Sequence, residues 1–495
     1  MILTAALGLP LLGALVLAVT PRLSDFAARG FAIVVGALSV LCLVIAWLRF
    51  DTTGPLFQQI EEVPWVPSLG MAWRLGVDGI ALAVASMSAL VFVASIAYPV
   101  DTKNHARQYY AWLLFLQGVS LGVFLSLDLL LFYVFFDLSL VGMFFLIGRW
   151  GHGQPQAAAL KFFIYTFCGS LVMLLAFIGL FLAVEPHTFD MRVLIAEQPL
   201  VGSGLPAGLI LLGLMIGLGI KTPLVPVHTW LPQAHVDAPG PASAVLAGVL
   251  LKMGTFGMIR IPFSMMRETF AEYAWVIAVV AVISILYGAS VAMGQGNLKR
   301  RIAYTSINHM GYTVLGIAVA GALLGGNEAA RQLALVGATV EMVAHGLITG
   351  SLFLICGSFW QRTGDYEMAR YGGLAKRAPL LTAFAVLAAF ASLGLPGLAG
   401  FVAEFHIFAG TFAVYPWLAV IGIFGILITA ALFLQLLQQL FFGELPQQWS
   451  GFVDLKTSEW LVLGGLALAF VIVGVAPHFL LQMIEASASL LVGAR

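Results

Sequence analysis

The sequence has few charged residues: Asp, Glu, Lys and Arg make up 9% of its 495 residues, and hydrophobic residues make up 61%. Soluble globular proteins carry about 25% charged residues, so this composition argues against an ordinary soluble fold and indicates a membrane protein. The 23 basic and 23 acidic residues cancel. A net charge of zero gives no indication of nucleic acid as a partner.

Cysteine is also scarce. Cys42, Cys168 and Cys356 stand alone in apolar segments, without a CxxC spacing or a cluster of cysteine and histidine. Such isolated cysteines cannot supply a disulfide framework, a zinc site or an iron–sulfur cluster. Motifs for flavin or haem are absent too, so we expect no redox cofactor in this chain.

Long apolar segments fill the sequence instead. A bilayer core is crossed by about 20 mainly apolar residues in a helix. The sequence has 14 such segments, centred near residues 11, 39, 88, 117, 138, 171, 214, 250, 283, 312, 345, 390, 428 and 471. We therefore predict an all-α integral membrane protein of about 14 transmembrane helices. The first segment lacks a basic leader and an obvious cleavage site, so we interpret it as a retained span.

Basic residues orient the predicted bundle. Loops after odd-numbered helices contain 14 of them: Arg22, Arg29, Lys103, Arg107, Arg149, Lys161, Lys299, Arg300, Arg301, Arg362, Arg370, Lys376, Arg377 and Lys456. The opposite side contains 7: Arg49, Arg74, Arg192, Arg260, Arg267, Arg331 and Arg495. Cytoplasmic loops carry the excess of Lys and Arg, so both termini are predicted to be periplasmic. The other two basic residues, Lys221 and Lys252, fall within predicted spans.

Ionisable residues inside the predicted spans are the most informative feature. They are Asp137, Lys221, Lys252, His309, Glu341, His345, Glu404 and His406. An ionisable group at mid-membrane costs about 3 kcal/mol or more, and its default interpretation is functional. The alternative is an interior ion pair that only holds helices together. A lone histidine is equally compatible with a satisfied core group and a proton-relay member.

Two proline- and glycine-rich interruptions accompany these charges. Pro223 and Pro226 follow Lys221 in IKTPLVPVHTWLP, and LGLPGLAGFVAEF precedes Glu404. Proline breaks a helix, and non-helical backbone at membrane depth occurs only where protein or a water-lined cavity satisfies it. Paired interruptions in two halves of a chain are typical of inverted-repeat transporters. Ordinary packing kinks explain each proline alone but not the lysine.

Several motifs resemble the antiporter-like membrane subunits of respiratory complex I (NADH:quinone oxidoreductase), in particular the subunit M, or chain 4, branch. They are LGVDGIAL, FLIGRWGH, IKTPLVPVHTWLPQAHVDAP, LAGVLLKMG, KRRIAYTSINHMGY, VAHGL and GLPGLAGFVAEF. The resemblance extends from about residue 60 to 445. It implies two inverted five-helix repeats, each with a broken helix, at residues 109–263 and 264–445. Residues 1–108 would form helices 1–3, and residues 446–495 helix 14.

The resemblance also implies a proton relay across the middle of the membrane. Its members would be Asp137, Lys221, Lys252, His309, His345 and Glu404. Lys221 is similar to the central lysine of the first broken helix, and Glu404 to an exit glutamate. Asp137 stands where the family has a glutamate that pairs with that lysine, and HVDAPGPAS departs from the usual HSxAPT pattern. Glu341 has no counterpart in the motifs.

The implied function is proton translocation in a bacterial inner-membrane complex, driven by electron transfer elsewhere. NADH, FMN, iron–sulfur clusters and quinone would be bound by partner subunits, and the partners would be other antiporter-like and small membrane subunits. Three alternatives stay open at this point: a subunit of a cation/proton antiporter, a membrane-bound hydrogenase-type arm, and a structural scaffold. A scaffold would need neither the lysines nor the glutamate.

The basic asymmetry makes a topological prediction. Reporter fusions should place both termini on the periplasmic side, because the cytoplasm retains the loops that carry more Lys and Arg. An alkaline phosphatase fusion at the C-terminus should therefore be active. Activity of a cytoplasmic reporter at that terminus would contradict the helix number or the orientation.

Overall fold

The computed structural model describes residues 1–21, 23–66, 70–322 and 327–493. Within that part the α-helices are α1 Ile2–Val19, α2 Asp25–Leu48, α3 Gly79–Ala97, α4 Ala106–Leu125, α5 Leu129–Trp150, α6 Pro155–Leu182, α7 Met191–Glu197, α8 Leu205–Lys221, α9 Leu231–Asp237, α10 Gly240–Val245, α11 Leu251–Met258, α12 Arg267–Met293, α13 Leu298–Gly321, α14 Glu328–Thr363, α15 Pro379–Ser392, α16 Ala399–Val414, α17 Pro416–Phe441, α18 Thr457–Val475 and α19 His478–Gly493. The strands are β1 Gln58–Val66 and β2 Met71–Val77. Arg22 and Arg495, which were counted among the basic loop residues, lie outside the described residues.

The described helices include 11 segments long and apolar enough to cross a membrane. One of them, Gly240–Phe263, joins α10 and α11 through π-helical turns at Leu246–Leu250 and Ile259–Phe263. Four further apolar helices, α8, α15, α16 and α19, are shorter. Each of the 14 predicted centres falls in a helical segment. The chain is therefore a largely helical, multi-pass membrane protein.

Short polar side chains begin several of these helices. Ser24, Asp78, Asp128 and Asn297 accept hydrogen bonds from backbone N–H groups of the first turns of α2, α3, α5 and α13. Such N-caps satisfy donors that a helix leaves free at its start. They fix where four apolar segments begin.

The helix α14 lies at the centre of the bundle. It packs against α3, α13, α16, α18 and α19. The most apolar 18-residue stretch of α14 is entirely buried, and so is that of the segment Gly240–Phe263. By contrast, only about a third of the residues of α2, α17 and α18 are fully buried. The two central segments, which carry Lys252, Glu341 and His345, are thus shielded from lipid by the rest of the chain.

The first interruption follows α8. Pro223 and Pro226 prevent the helix from continuing, and the chain passes through turns before α9 begins. Protein groups satisfy backbone atoms that the break leaves free: Trp230 Nε1 donates to the Ile220 carbonyl at 2.9 Å, and the Val225 N–H donates to Ser284 Oγ at 3.0 Å. The break is therefore supported from within the bundle, as membrane depth requires.

The second interruption separates α15 from α16. Gly394 and Gly397 have positive φ angles of 75° and 92°, a conformation that glycine adopts without the penalty of a side chain. Both predicted breaks are thus present in the structure, one beside Lys221 and one just before Glu404.

A hairpin covers one end of the bundle, in a connection where we predicted no helix or strand. The strands β1 and β2 pair antiparallel. Arg74 on β2 contacts Glu62 on β1 and the buried Asp128 that caps α5, each at 2.8 Å. The bonded Arg74 guanidinium holds the pKa of Glu62 below its usual range. Arg192 also reaches Glu62, at 2.8 Å, so ion pairs fasten the hairpin to the helices.

Arg260 was expected in a loop, and that assignment is wrong. It lies in the second π-helical turn, 3% exposed. Its Nη1 is 2.7 Å from Oδ2 of Asp78, which is also buried. The pairing with a carboxylate explains why an arginine can stay inside a helical segment here.

Replacement of Arg74 should loosen the hairpin. Arg74→Gln leaves the buried carboxylate of Asp128 without its cation, which costs about 2 kcal/mol for a partly buried pair. Limited proteolysis of the hairpin in detergent-solubilised protein should therefore become faster. The matched control is Arg370→Gln, whose pair with Asp365 is mostly exposed and is worth about 1 kcal/mol or less. Equal cleavage rates in both variants would contradict this role of Arg74.

Candidate functional site

Lys221 ends α8 directly at the first break. Its side chain is 1% exposed, and its Nζ donates to Ser139 Oγ on α5 at 2.8 Å. The ammonium also lies 4.7 Å from the centre of the Phe136 ring, a distance at which a cation is attracted by the ring face. A hydroxyl and an aromatic ring are therefore the immediate surroundings of the first lysine.

Asp137 does not form a direct ion pair with Lys221. Among the described residues, no carboxylate oxygen lies within 4.0 Å of Lys221 Nζ. Asp137 is near Tyr133 and Ser170 and within electrostatic range of Lys221, and its Oδ1 is buried without a hydrogen-bond partner in the described chain. The shorter aspartate thus leaves a gap to the lysine.

Lys252 lies on α11 and is fully buried. Its Nζ donates to the Ala247 carbonyl at 2.6 Å and contacts Nδ1 of His345 on α14. The carbonyl belongs to the π-helical turn Leu246–Leu250. Turns of this kind are common at functional sites because they disturb the regular pairing of the helix backbone. The local backbone therefore supplies one acceptor for the second lysine and α14 supplies the other.

Two histidines continue from Lys252. The rings of His345 and His309 have centroids 5.3 Å apart. Nδ1 of His309 lies 3.1 Å from Glu341 Oε1, and its Nε2 lies 3.1 Å from Ser392 Oγ at the end of α15. Lys252, His345, His309 and Glu341 thus form a continuous series of polar side chains, which we call the polar string. The second helix break contacts this string through Ser392.

Glu404 sits at the far end of this string, on α16. It is 5% exposed, within electrostatic range of Glu341, and its carboxylate presses against the backbone of Gly394. A Cβ at Gly394 would overlap Glu404 Oε2, so a side chain at this position would displace the carboxylate. By contrast, His406 bonds the Val402 carbonyl of its own helix and takes no part in the string.

Glu341 is the functional candidate that the motifs did not place. It lies between His309 and Glu404, and Lys252 also lies within its electrostatic range. The spacing in VEMVAHG provides the signal that finds it: residues four apart on a helix share a face, so Glu341 and His345 point in one direction from α14. The structure therefore adds a carboxylate to the centre of the predicted relay.

These contacts define two groups. In the central group, Lys252 contacts His345 and His309 contacts Glu341, while the two histidine rings lie beside each other with centroids 5.3 Å apart. Glu404 lies beside this group, and Lys221 and Asp137 form a separate group at the first break. All are donors or acceptors of protons. Among the described residues, no three His, Cys, Asp or Glu side chains come together as a metal site. The chemistry available here is proton transfer.

Comparison with known proteins identifies the family of this chain. Residues 126–429 match the family described as NADH:quinone oxidoreductase/Mrp antiporter, TM. The chain belongs to this family. The NADH-quinone oxidoreductase subunit M of Rickettsia prowazekii is 34% identical over 461 residues, which are 92% of this chain and 91% of the relative. The subunit M of Rhodobacter capsulatus is 35% identical over 502 residues, 98% of this chain and 95% of the relative.

A solved structure extends the likeness to the whole fold. A chain of the respiratory complex I from Thermus thermophilus with bound NADH superposes with a TM-score of 0.87 and 31% sequence identity. The superposition covers 99% of this chain and 100% of that one. The hairpin and both helix breaks thus belong to a fold that is known in a complex I membrane subunit.

The close approach of Glu404 to Gly394 makes a stability prediction. Gly394→Ala adds backbone strain of about 1 kcal/mol and a clash worth about 1–3 kcal/mol. The matched control is Gly397→Ala, because Gly397 also has positive φ but open space around its Cβ position. Thermal unfolding in detergent should show a clearly larger loss for Gly394→Ala. Equal losses of thermal stability in the two variants would mean that the Glu404 carboxylate does not restrict the space around Gly394.

Proposed function

We propose that this chain is a proton-translocating membrane subunit of an NADH:quinone oxidoreductase. It moves protons across the membrane while other subunits pass electrons from NADH to quinone. The observation that carries the proposal is the buried contact string Lys252–His345–His309–Glu341. The names of the curated relatives give its setting in an electron-transfer complex.

The architecture proposed for this function has 14 membrane crossings in two inverted five-helix repeats. The repeats span residues 109–263 and 264–445, with helices 1–3 before them and helix 14 after them. In support, each repeat contains one interrupted helix with an ionisable residue beside it, Lys221 or Glu404. Eleven of the crossings are the long apolar segments described above. The other three are α8 with α9, α13, and α15 with α16. The first and the last of these are broken helices, and α13 carries several charged residues. Both termini face the periplasm, and the membrane is the bacterial inner membrane.

The first switch is Lys221. Burial disfavours the charged form of a lysine, and a nearby carboxylate restores it. Two unit charges about 4 Å apart attract by about 4 kcal/mol at an effective dielectric of about 20. Because Asp137 is beyond 4.0 Å in this structure, a bridging water or a small approach of α5 toward α8 would change how firmly Lys221 holds its proton. Lys221 can thereby alternate between holding and releasing it.

The central group then passes the proton on. Neutral Lys252 can accept a proton and give it to Nδ1 of His345, since an imidazole takes up a proton at one nitrogen and releases one from the other. His309 receives it and stands in contact with the Glu341 carboxylate, and Glu404 provides the next carboxylate. The remaining gaps, from His345 to His309 and from Glu341 to Glu404, are ones that bridging waters can span.

Partner subunits supply the electron chemistry in this proposal. They bind NADH, FMN, iron–sulfur clusters and quinone, and this chain contributes no cofactor. Its membrane neighbours are other antiporter-like and small membrane subunits. The family description also includes Mrp antiporters, but the curated relatives above are NADH-quinone oxidoreductase subunits, which favours the oxidoreductase setting.

Lys221→Ala tests the function. The complex should still assemble in this variant, but fewer protons should cross the membrane per electron transferred. The reason is that removal of a positioned proton-transfer group slows proton transfer by roughly 100-fold or more. The proton-to-electron ratio of the reconstituted complex is the measurement. Lys161→Ala is the matched control, since Lys161 is an exposed lysine on α6. An unchanged ratio in Lys221→Ala would remove the lysine from the mechanism.

Asp137→Asn distinguishes a relay role from a structural one. In a relay, the asparagine no longer stabilises the charged lysine, so the proton-to-electron ratio falls while the yield of complex is kept. A structural role predicts the reverse, with a lower yield and a normal ratio per assembled complex. Both quantities should be measured on one preparation.

A further inference from the structure

A third buried lysine lies outside the relay described above. Lys299, in the first turn of α13, is 0% exposed, although the sequence placed it in a basic loop. Its Nζ donates to the Ala238 carbonyl and lies 5.4 Å from the centre of the Tyr366 ring. A lysine ammonium has three donors, and this is the one hydrogen bond that Lys299 makes to the described residues.

One carboxylate lies near Lys299 without touching it. Asp237, 8% exposed, is within electrostatic range of Lys299, but no ion pair shorter than 4.0 Å joins the two among the described residues. Asp237 is held by the turn after α5, because its carbonyl accepts the His152 N–H at 2.8 Å. A Cβ at Gly153 would lie 2.6 Å from its Oδ1. The arrangement repeats that of Lys221 and Asp137: a buried lysine with a carboxylate kept at a gap.

Unpartnered polar atoms surround this lysine. Nε2 of His152, both ring nitrogens of His235 and Oη of Tyr366 are buried without a hydrogen-bond partner in the described part of the chain. Buried polar atoms in native proteins are nearly always paired, and bound water is the usual partner where the protein offers none. Four such atoms around one lysine therefore mark a site that holds water.

A crevice that opens to the exterior lies beside this site. It has a volume of about 110 Å³ and is lined by His152, Trp360, Gly240 and, at its outer side, the exposed Asp101 and Lys103. This is room for several water molecules. The His152 ring stacks on Trp360 at 3.8 Å between centroids and lies 5.7 Å from the Tyr366 ring. The crevice therefore reaches His152 and Trp360, whose rings pack against Tyr366, and Tyr366 in turn lies next to Lys299.

On its inner side the site meets the relay through His235. This histidine is fully buried, stacked on Phe353, and within electrostatic range of both Lys299 and Lys252. His345 is within range of His235 as well. His235 is thus near enough to both the outer lysine and the central group to feel their charges.

We propose that Lys299, Asp237, His235 and Tyr366 form a water-binding proton-loading site that feeds Lys252 from the end of the bundle where α13 begins. A hydronium ion in the crevice passes a proton through bound water to the neutral Lys299 amine and itself becomes water. The Lys299 ammonium gives a proton through water to one nitrogen of His235, and the other nitrogen releases a proton to neutral Lys252. Asp237 stabilises the charged form of Lys299. This inference rests on the proposed function above and names where its protons are taken up.

A purely structural role is the competing explanation. Ala238 ends α9, and a cation at a helix C-terminus is stabilising by itself. Lys299→Arg separates the two roles, because arginine keeps the charge and the donors but stays protonated and cannot release a proton. Tyr366→Phe is a second variant, which removes one oxygen from the site and little volume.

The test uses the whole complex reconstituted in vesicles, with NADH and quinone. Lys299→Gln and Lys299→Arg should both lower the proton-to-electron ratio to that of Lys221→Ala, whereas Lys161→Gln, at an exposed lysine on α6, should keep the normal ratio. Rescue by arginine would show a structural cation and overturn the proposal. A normal ratio in Lys299→Gln would overturn it also, and the Lys221→Ala result would then tell whether the proposed function falls with it.

A second measurement does not depend on pumping. An electron cryo-microscopy map of the complex at a resolution that shows water should contain density between Lys299 Nζ, Tyr366 Oη and the ring nitrogens of His152 and His235. Tyr366→Phe should lose the density at that oxygen. A dry site in the unaltered complex would overturn the proposal even where a lysine variant fails to assemble.

Discussion

The main constraint on this fold is the burial of two lysine side chains where neither lipid nor bulk water can solvate their amino groups. Lys221 and Lys252 are 1% and 0% exposed, and an isolated buried charge is very unfavourable. Each therefore needs polar groups that the bundle must supply, from Ser139 for the first lysine and from a backbone carbonyl and His345 for the second. The helix irregularities occur where these groups are needed.

The irregular backbone is itself supported by side chains. Trp230 and Ser284 bond the backbone freed at the first break, while Ser392 at the second break reaches His309. The close approach of Gly394 to Glu404 ties that break to a carboxylate. The second interruption and the polar string therefore support each other, whereas the first interruption is supported by side chains outside the string.

Much of this arrangement could be predicted from the sequence, because its signals are local. Apolar segments, the two Pro/Gly interruptions and the intramembrane charges are visible along the chain, and the motifs indicate most members of the proposed relay. Long-range packing decided the rest. It left a gap between Asp137 and Lys221, brought Glu341 against His309, buried Lys299 and paired Arg260 with Asp78. No pattern along the chain reports those distances, apart from the four-residue spacing of Glu341 and His345.

The most direct test concerns Glu341, because it joins the histidines to the last carboxylate. Glu341→Gln keeps the shape of the side chain and an oxygen for His309, but the amide cannot carry a proton. A relay through this residue predicts a lower proton-to-electron ratio in the assembled, electron-transferring complex, with Glu328→Gln, an exposed site on the same helix, as the unaffected control. A normal ratio in Glu341→Gln would contradict proton transfer through the central group.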